Sequence, residues 1–87
     1  MVVRSQENGV GVVYMNGFGV WALWVLDSAG GLSRVRLSLD DFDAIGVHEY
    51  QRVRVRLPRQ PEEDVYFRGR RETPPFVWLE FGKDVRR

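Results

Sequence analysis

The sequence has no cysteine, one histidine and, among its 13 basic residues, one lysine. Without cysteine, the chain has no disulfide, no thiol nucleophile and no cysteine-based metal site. The longest apolar run, residues 20–26, is far shorter than the roughly 20 residues that a membrane-spanning helix needs. The N-terminal stretch turns polar too early for a secretory signal. We therefore expect a cytoplasmic protein with no membrane association.

The residue types that carry catalysis or bind metals are also scarce. His48 stands beside Glu49, but neighbouring residues on a strand point to opposite faces, so this pair makes a poor general base. The acids within 40–43 suggest the start of a calcium loop, yet Ile45 and Arg52 occupy positions where that loop needs oxygen ligands. Capping of a helix explains these acids better. We expect no enzymatic activity, metal, cofactor or small-molecule substrate.

Alternation of apolar and polar residues dominates the chain and predicts strands. Asn16-Gly17 predicts a tight hairpin turn, because such a turn needs positive φ at both positions. The segment 28–31 predicts a second turn, and the acidic segment 59–64 predicts an exposed loop. The predicted strands cover residues 10–15, 20–27, 32–39, 50–58, 65–72 and 76–82.

One segment departs from this alternation. Ser38 or Asp40 suits a helix N-cap, and Gly46 suits the C-terminal cap, so 38–46 predicts one or two helical turns. A chain of 87 residues makes one domain, 1–87. Short strands in such a domain favour a closed sheet, because closure removes exposed edges. We predict an all-β fold: a small five- or six-stranded antiparallel barrel, SH3-like or OB-like in architecture, with one short helical turn.

Arginines recur at every second position in several predicted strands. This spacing places like charges on one face, and like charges opposite each other destabilise a sheet. If the strands are neighbours, they form a basic patch that would bind an anionic partner. Nucleic acid is the first such partner to consider. Near the arginines, Tyr50, Tyr66, Phe76 and Trp78 offer rings for base stacking. The predicted phosphate contacts are Arg34, Arg36, Arg52, Arg54, Arg56, Arg68 and Arg70, with Tyr50 or Tyr66 as the stacking face.

A structural explanation competes with this one. Outward arginines cover apolar surface with their stems and pair with carboxylates on neighbouring strands. Glu80, on the last predicted strand, would neutralise part of the patch if it lies beside Arg34 and Arg36.

The strand 20–27 provides a different hypothesis, because it is apolar on both faces. A barrel wall needs only one apolar face, so the second must be covered by another part of the chain or by another chain. The alternative function is therefore a protein-interaction or oligomerising module that uses Trp21, Leu23 and Trp24. Small inhibitors or accessory proteins of mobile elements have this size.

Overall fold

The computed structural model describes residues 7–49 and 51–83. Six antiparallel strands close into a barrel in the order β1-β2-β3-β6-β5-β4, and one short helix follows β3. This architecture confirms the predicted all-β barrel. The elements are β1 (Glu7–Met15), β2 (Phe18–Leu26), β3 (Leu32–Ser38), α1 (Leu39–Ile45), β4 (Arg52–Arg56), β5 (Glu63–Thr73) and β6 (Phe76–Gly82).

The predicted turn between β1 and β2 is confirmed, and it also helps to close the barrel. Asn16 and Gly17 have φ angles of 52° and 83°, as a tight hairpin turn requires. The Asn16 backbone N–H donates to the Arg54 carbonyl at 2.7 Å, and its side-chain Oδ1 accepts from the Arg54 N–H at 2.9 Å. The hairpin end is thus attached to β4, next to the pairing of Tyr14 with Arg56.

Inward-facing residues of all six strands fill the interior. The valines of β4, Val53 and Val55, are buried between its exposed arginines, as the alternation predicts. Phe42 from α1 packs edge-on against Phe67 at 6.0 Å between ring centroids, so the helix covers one end of the core. Buried side chains from the other strands include Val13, Met15, Val20, Val35, Leu37, Val65, Val77 and Leu79.

The helix has both caps that its sequence predicts. Ser38 is the N-cap, and its side chain accepts from the Asp41 N–H at 3.0 Å. Gly46 adopts the left-handed conformation with φ 73°, and its N–H bonds to the Phe42 carbonyl. Asp40 and Asp41 lie in the first turn, where the helix dipole favours negative charge. Capping therefore accounts for these acids.

The acidic loop is shorter than predicted. Glu63 and Asp64 belong to β5, opposite Val55 and Arg54 of β4, instead of lying in the connection between the strands. The reason is cross-strand pairing, since an acid opposite an arginine stabilises the ladder despite its weak intrinsic preference for strands.

Candidate functional site

The arginines of β3 and β4 lie on different sides of the barrel. In the closed strand order, β3 and β4 are three strands apart in either direction. Arg34 and Arg36 on β3 therefore do not join Arg52, Arg54 and Arg56 on β4. A single patch of all seven arginines would need β3 and β4 to be neighbours, and the strand order keeps these two strands apart.

A β-bulge separates the predicted pair on β5. The pairing of β5 with β6 shifts register between Phe67 and Gly69, which reverses the alternation for the rest of the strand. Arg70 consequently lies opposite the buried Leu79, and Arg71 lies opposite Trp78. The expectation that Tyr66, Arg68 and Arg70 share one face is corrected by this shift.

The two predicted arginines of β5 have distinct surroundings. The Arg70 guanidinium lies over the Phe42 ring at 5.3 Å, and its Nε is 3.9 Å from Glu49 Oε2. The stem of Arg68 covers Gly82, where a β-carbon would come within 2.8 Å of Arg68 Cδ. Arg70 therefore supports the helix end of the barrel, whereas Arg68 packs along β6.

Like Arg70, four other arginines lie over aromatic rings of this chain. Such contacts place the guanidinium above the electron-rich face of a ring. The distances from the guanidinium carbon to the ring centroid are 5.1 Å for Arg34 and Trp78, 4.3 Å for Arg36 and Phe76, 5.5 Å for Arg52 and Tyr66, and 4.5 Å for Arg56 and Tyr14. Three of the rings predicted to stack on bases, Tyr66, Phe76 and Trp78, are therefore already covered on one face.

The remaining arginine of β4 pairs with acids. Arg54 Nε lies 4.0 Å from Glu62 Oε1 and 3.8 Å from Asp64 Oδ1. All three side chains are well exposed, so water screens these pairs and each contributes at most about 1 kcal/mol. The internal pairing proposed as the structural explanation is thus present on β4. Glu80 lies opposite Arg34 in the register of β3 and β6.

Arg52 also makes a hydrogen bond with its stacking partner. Its Nη2 donates to the Tyr66 hydroxyl at 3.3 Å. This hydrogen bond raises the pKa of the Arg52 guanidinium above its ordinary value, with smaller contributions from the charges of Tyr66 and Asp64. Tyr50, the other predicted stacking residue, lies outside the described residues.

The outer face of the hairpin formed by β1 and β2 has a different character. Val12 lies opposite Trp21, and Val10 lies opposite Leu23. Trp21 is 64% exposed, Val10 56% and Val12 42%, whereas Leu23 is half-buried. Tyr14 continues this surface toward the turn. We call it the apolar face, defined as Val10, Val12, Tyr14, Trp21 and Leu23.

Arginines border the apolar face on both sides. Arg36 of β3 lies opposite Leu23, and Arg56 of β4 lies opposite Tyr14. The outward positions of β1 and β2 between them, 10, 12, 14, 19, 21 and 23, carry no charge. The arrangement is an uncharged centre with a cation at each side.

The structure separates the two tryptophans of β2. Trp24 points inward, where its indole fills the space beside Gly9 and contacts the core. The predicted interface grouped Trp24 with Trp21 and Leu23, and this placement corrects that grouping. Sequence reasoning missed Val10, Val12 and Tyr14, although "GVGVVY" already had apolar residues on both faces of a strand.

No catalytic arrangement is evident in the described part of the chain. His48 is exposed, and the neighbouring Glu49 pairs with Arg70. Within residues 7–49 and 51–83, no three side chains of the metal-binding types come together. No helix in these ranges is long and apolar enough to cross a membrane.

Comparison of the chain with protein-family models, with curated proteins and with solved structures finds no match.

Proposed function

We propose that this protein is a non-enzymatic protein-binding module that uses the apolar face. The observation that carries the proposal is the 64% exposure of Trp21 at the centre of an uncharged apolar surface. Exposed apolar patches mark interaction sites, and tryptophan is enriched among the residues that contribute most binding free energy. The aliphatic neighbours Val10 and Val12 extend the contact that Trp21 would make.

The flanking arginines indicate the chemistry of the partner. A complementary surface has apolar side chains at its centre and carboxylates at its sides, close to Arg36 and Arg56. Two copies stacked face to face would bring arginines near arginines, so charge disfavours a second copy on this face. The partner we infer is a different protein segment, apolar in the middle and acidic at its ends.

Nucleic acid, the first hypothesis from the sequence, receives less support. Bases stack on aromatic rings, and Trp21 offers one, but its neighbours Val10, Val12 and Leu23 are aliphatic and carry no charge for a phosphate. The Tyr14 ring packs against Gly19 on one side and lies beneath Arg56 on the other. The arginines themselves are divided between two sides of the barrel. Oligonucleotide binding is therefore the alternative function that the test below must distinguish from peptide binding.

A randomised peptide library tests the proposal, because selection from it requires no identified partner. Peptides are selected on the wild-type protein and measured by calorimetry. We expect apolar sequences flanked by Asp or Glu, and at least tenfold weaker binding to Trp21→Ser, because truncating a central tryptophan costs about 2 kcal/mol or more. Arg36→Gln and Arg56→Gln should each weaken binding and reduce its dependence on salt.

Phe18→Ser is the matched control, because Phe18 is an exposed aromatic residue of β2 at a position that alternation places on the opposite face from Trp21. It should bind the selected peptides as the wild type does. The proposal fails if the peptides bind folded Trp21→Ser with unchanged affinity. It also fails if labelled oligonucleotides bind at physiological salt and lose affinity in Arg34→Gln but not in Trp21→Ser.

A further inference from the structure

The edge of β1 that faces β4 is paired over only a short length. β1 pairs with β2 along all nine of its residues, from Glu7 opposite Leu26 to Met15 opposite Phe18. Within the described residues, its ladder with β4 contains only Tyr14 and Met15. The backbone edge from Asn8 to Val13 is therefore open in this part of the structure.

The hairpin turn determines which backbone groups face that open edge. In a two-residue hairpin, the residues that flank the turn form a hydrogen-bonded pair, here Met15 and Phe18. Hydrogen-bonded and non-hydrogen-bonded positions then alternate along β1. Asn8, Val10 and Val12 consequently direct their N–H and C=O groups away from β2, toward the open edge. The bond from Asn16 to the Arg54 carbonyl, on the same side, agrees with this alternation.

This edge lacks the features that usually prevent strands from pairing between molecules. Natural edge strands carry lysine, proline or inward charges. Residues 8–13 contain none of these. Side chains close the barrel beneath the edge, because the Trp24 indole lies against Gly9 and Pro58 lies near Gly11. Pro58 also has no N–H with which to extend the β4 ladder.

We propose that the open edge of β1 pairs antiparallel with β1 of a second copy, with Val10 opposite Val10 at the two-fold axis. The three open positions are symmetric about Val10, so Asn8 of each copy lies opposite Val12 of the other. All three positions on each strand then find backbone partners, and the proposed pairing stops short of Tyr14, which pairs with Arg56 of β4. A closed two-fold pair of this kind uses the same surface on both molecules.

Charge does not oppose a second copy at this edge, in contrast to the apolar face. The paired segments carry no charge, so no like charges are brought together. The two apolar faces would then lie side by side on one continuous sheet.

Sedimentation analysis of charge variants tests this register. The wild type and Val10→Thr should sediment as dimers at high micromolar concentration. Val10→Lys and Val10→Glu should each weaken dimerisation at least about tenfold, because like charges face each other across the axis. Mixing these two variants should restore a dimer, since lysine then lies opposite glutamate. Val10 is exposed, so the monomer should tolerate both substitutions.

The inference is overturned if the wild type is monomeric at these concentrations, or if Val10→Lys and Val10→Glu alone dimerise as the wild type does. Failure of the mixture to restore the dimer would reject the register. Trp21→Ser separates this inference from the proposed function, because Trp21 lies on β2 away from the axis. A dimer that persists in Trp21→Ser but not in Val10→Lys supports edge pairing, and the reverse result contradicts it.

Discussion

Gly9 shows how one residue shapes the wall beneath the apolar face. The Trp24 indole occupies the space that a β-carbon on Gly9 would fill. The absence of a side chain on β1 therefore lets a large ring from β2 close the barrel between β1 and Pro58. Trp21 and Trp24 are three positions apart on one strand and therefore face opposite sides, and Gly9 leaves the room that the Trp24 ring occupies on the inner side.

We predict that Gly9→Ala destabilises the protein. The added methyl group forces the Trp24 ring to move, and overpacking of this kind costs about 1–3 kcal/mol. Urea denaturation followed by circular dichroism measures the change. Gly69→Ala is the matched control on β5, because no atom lies within 4 Å of the added β-carbon. Its free energy of unfolding should stay within about 0.5 kcal/mol of the wild type or rise slightly. Equal losses in both variants would contradict this account of Gly9.

At the scale of elements, the connection between the hairpin turn and β4 closes the sheet. A turn with Asn16-Gly17 is predictable from sequence, since few residue types tolerate positive φ at both positions. The two hydrogen bonds between Asn16 and Arg54 are not predictable, because they join residues 38 positions apart. Local patterns determine local conformations, whereas the partner of a turn depends on the order of the strands.

We predict that Asn16→Gly lowers the free energy of unfolding by about 0.5–1.5 kcal/mol, the usual net contribution of one hydrogen bond. Glycine also adopts the positive φ, so the substitution mainly removes the side-chain oxygen that accepts from the Arg54 N–H. Asn16→Asp keeps an oxygen at that position and tolerates the same φ, so its stability should change less. Thermal denaturation compares the three proteins. Greater stability of Asn16→Gly than of Asn16→Asp would argue against the role of the side chain.

The limits of sequence reasoning are clearest on β5. The alternation of "VYFRGRRE" predicts Tyr66, Arg68 and Arg70 on one face, but the bulge shifts Arg70 away and places Arg71 opposite Trp78. A single extra residue in one strand leaves little signal in a sequence of mixed charge. By contrast, the "RVRVR" alternation of β4 is confirmed at every position. In a regular strand, burial of the valines on one face leaves the arginines only the other face.

At the scale of the whole molecule, the strand order determines what the arginines do. Their spacing along each strand is visible in the sequence, but β3 and β4 lie three strands apart. Rings of the same chain and the acids near β4 engage most of the predicted phosphate contacts. Among the described residues, the largest exposed ring, Trp21, lies instead between the two groups, on the uncharged outer face of the hairpin. We therefore propose that the functional surface lies on β1 and β2.

The most direct test of this placement is a nuclear magnetic resonance titration with a peptide selected from the randomised library. Backbone amide and indole signals are followed as the peptide is added. Our account predicts that the shifts concentrate at Val10, Val12 and the Trp21 indole, with smaller shifts at Arg36 and Arg56. Shifts concentrated instead around Arg34, Trp78 and Arg71, or around Arg52 and Tyr66, would contradict it.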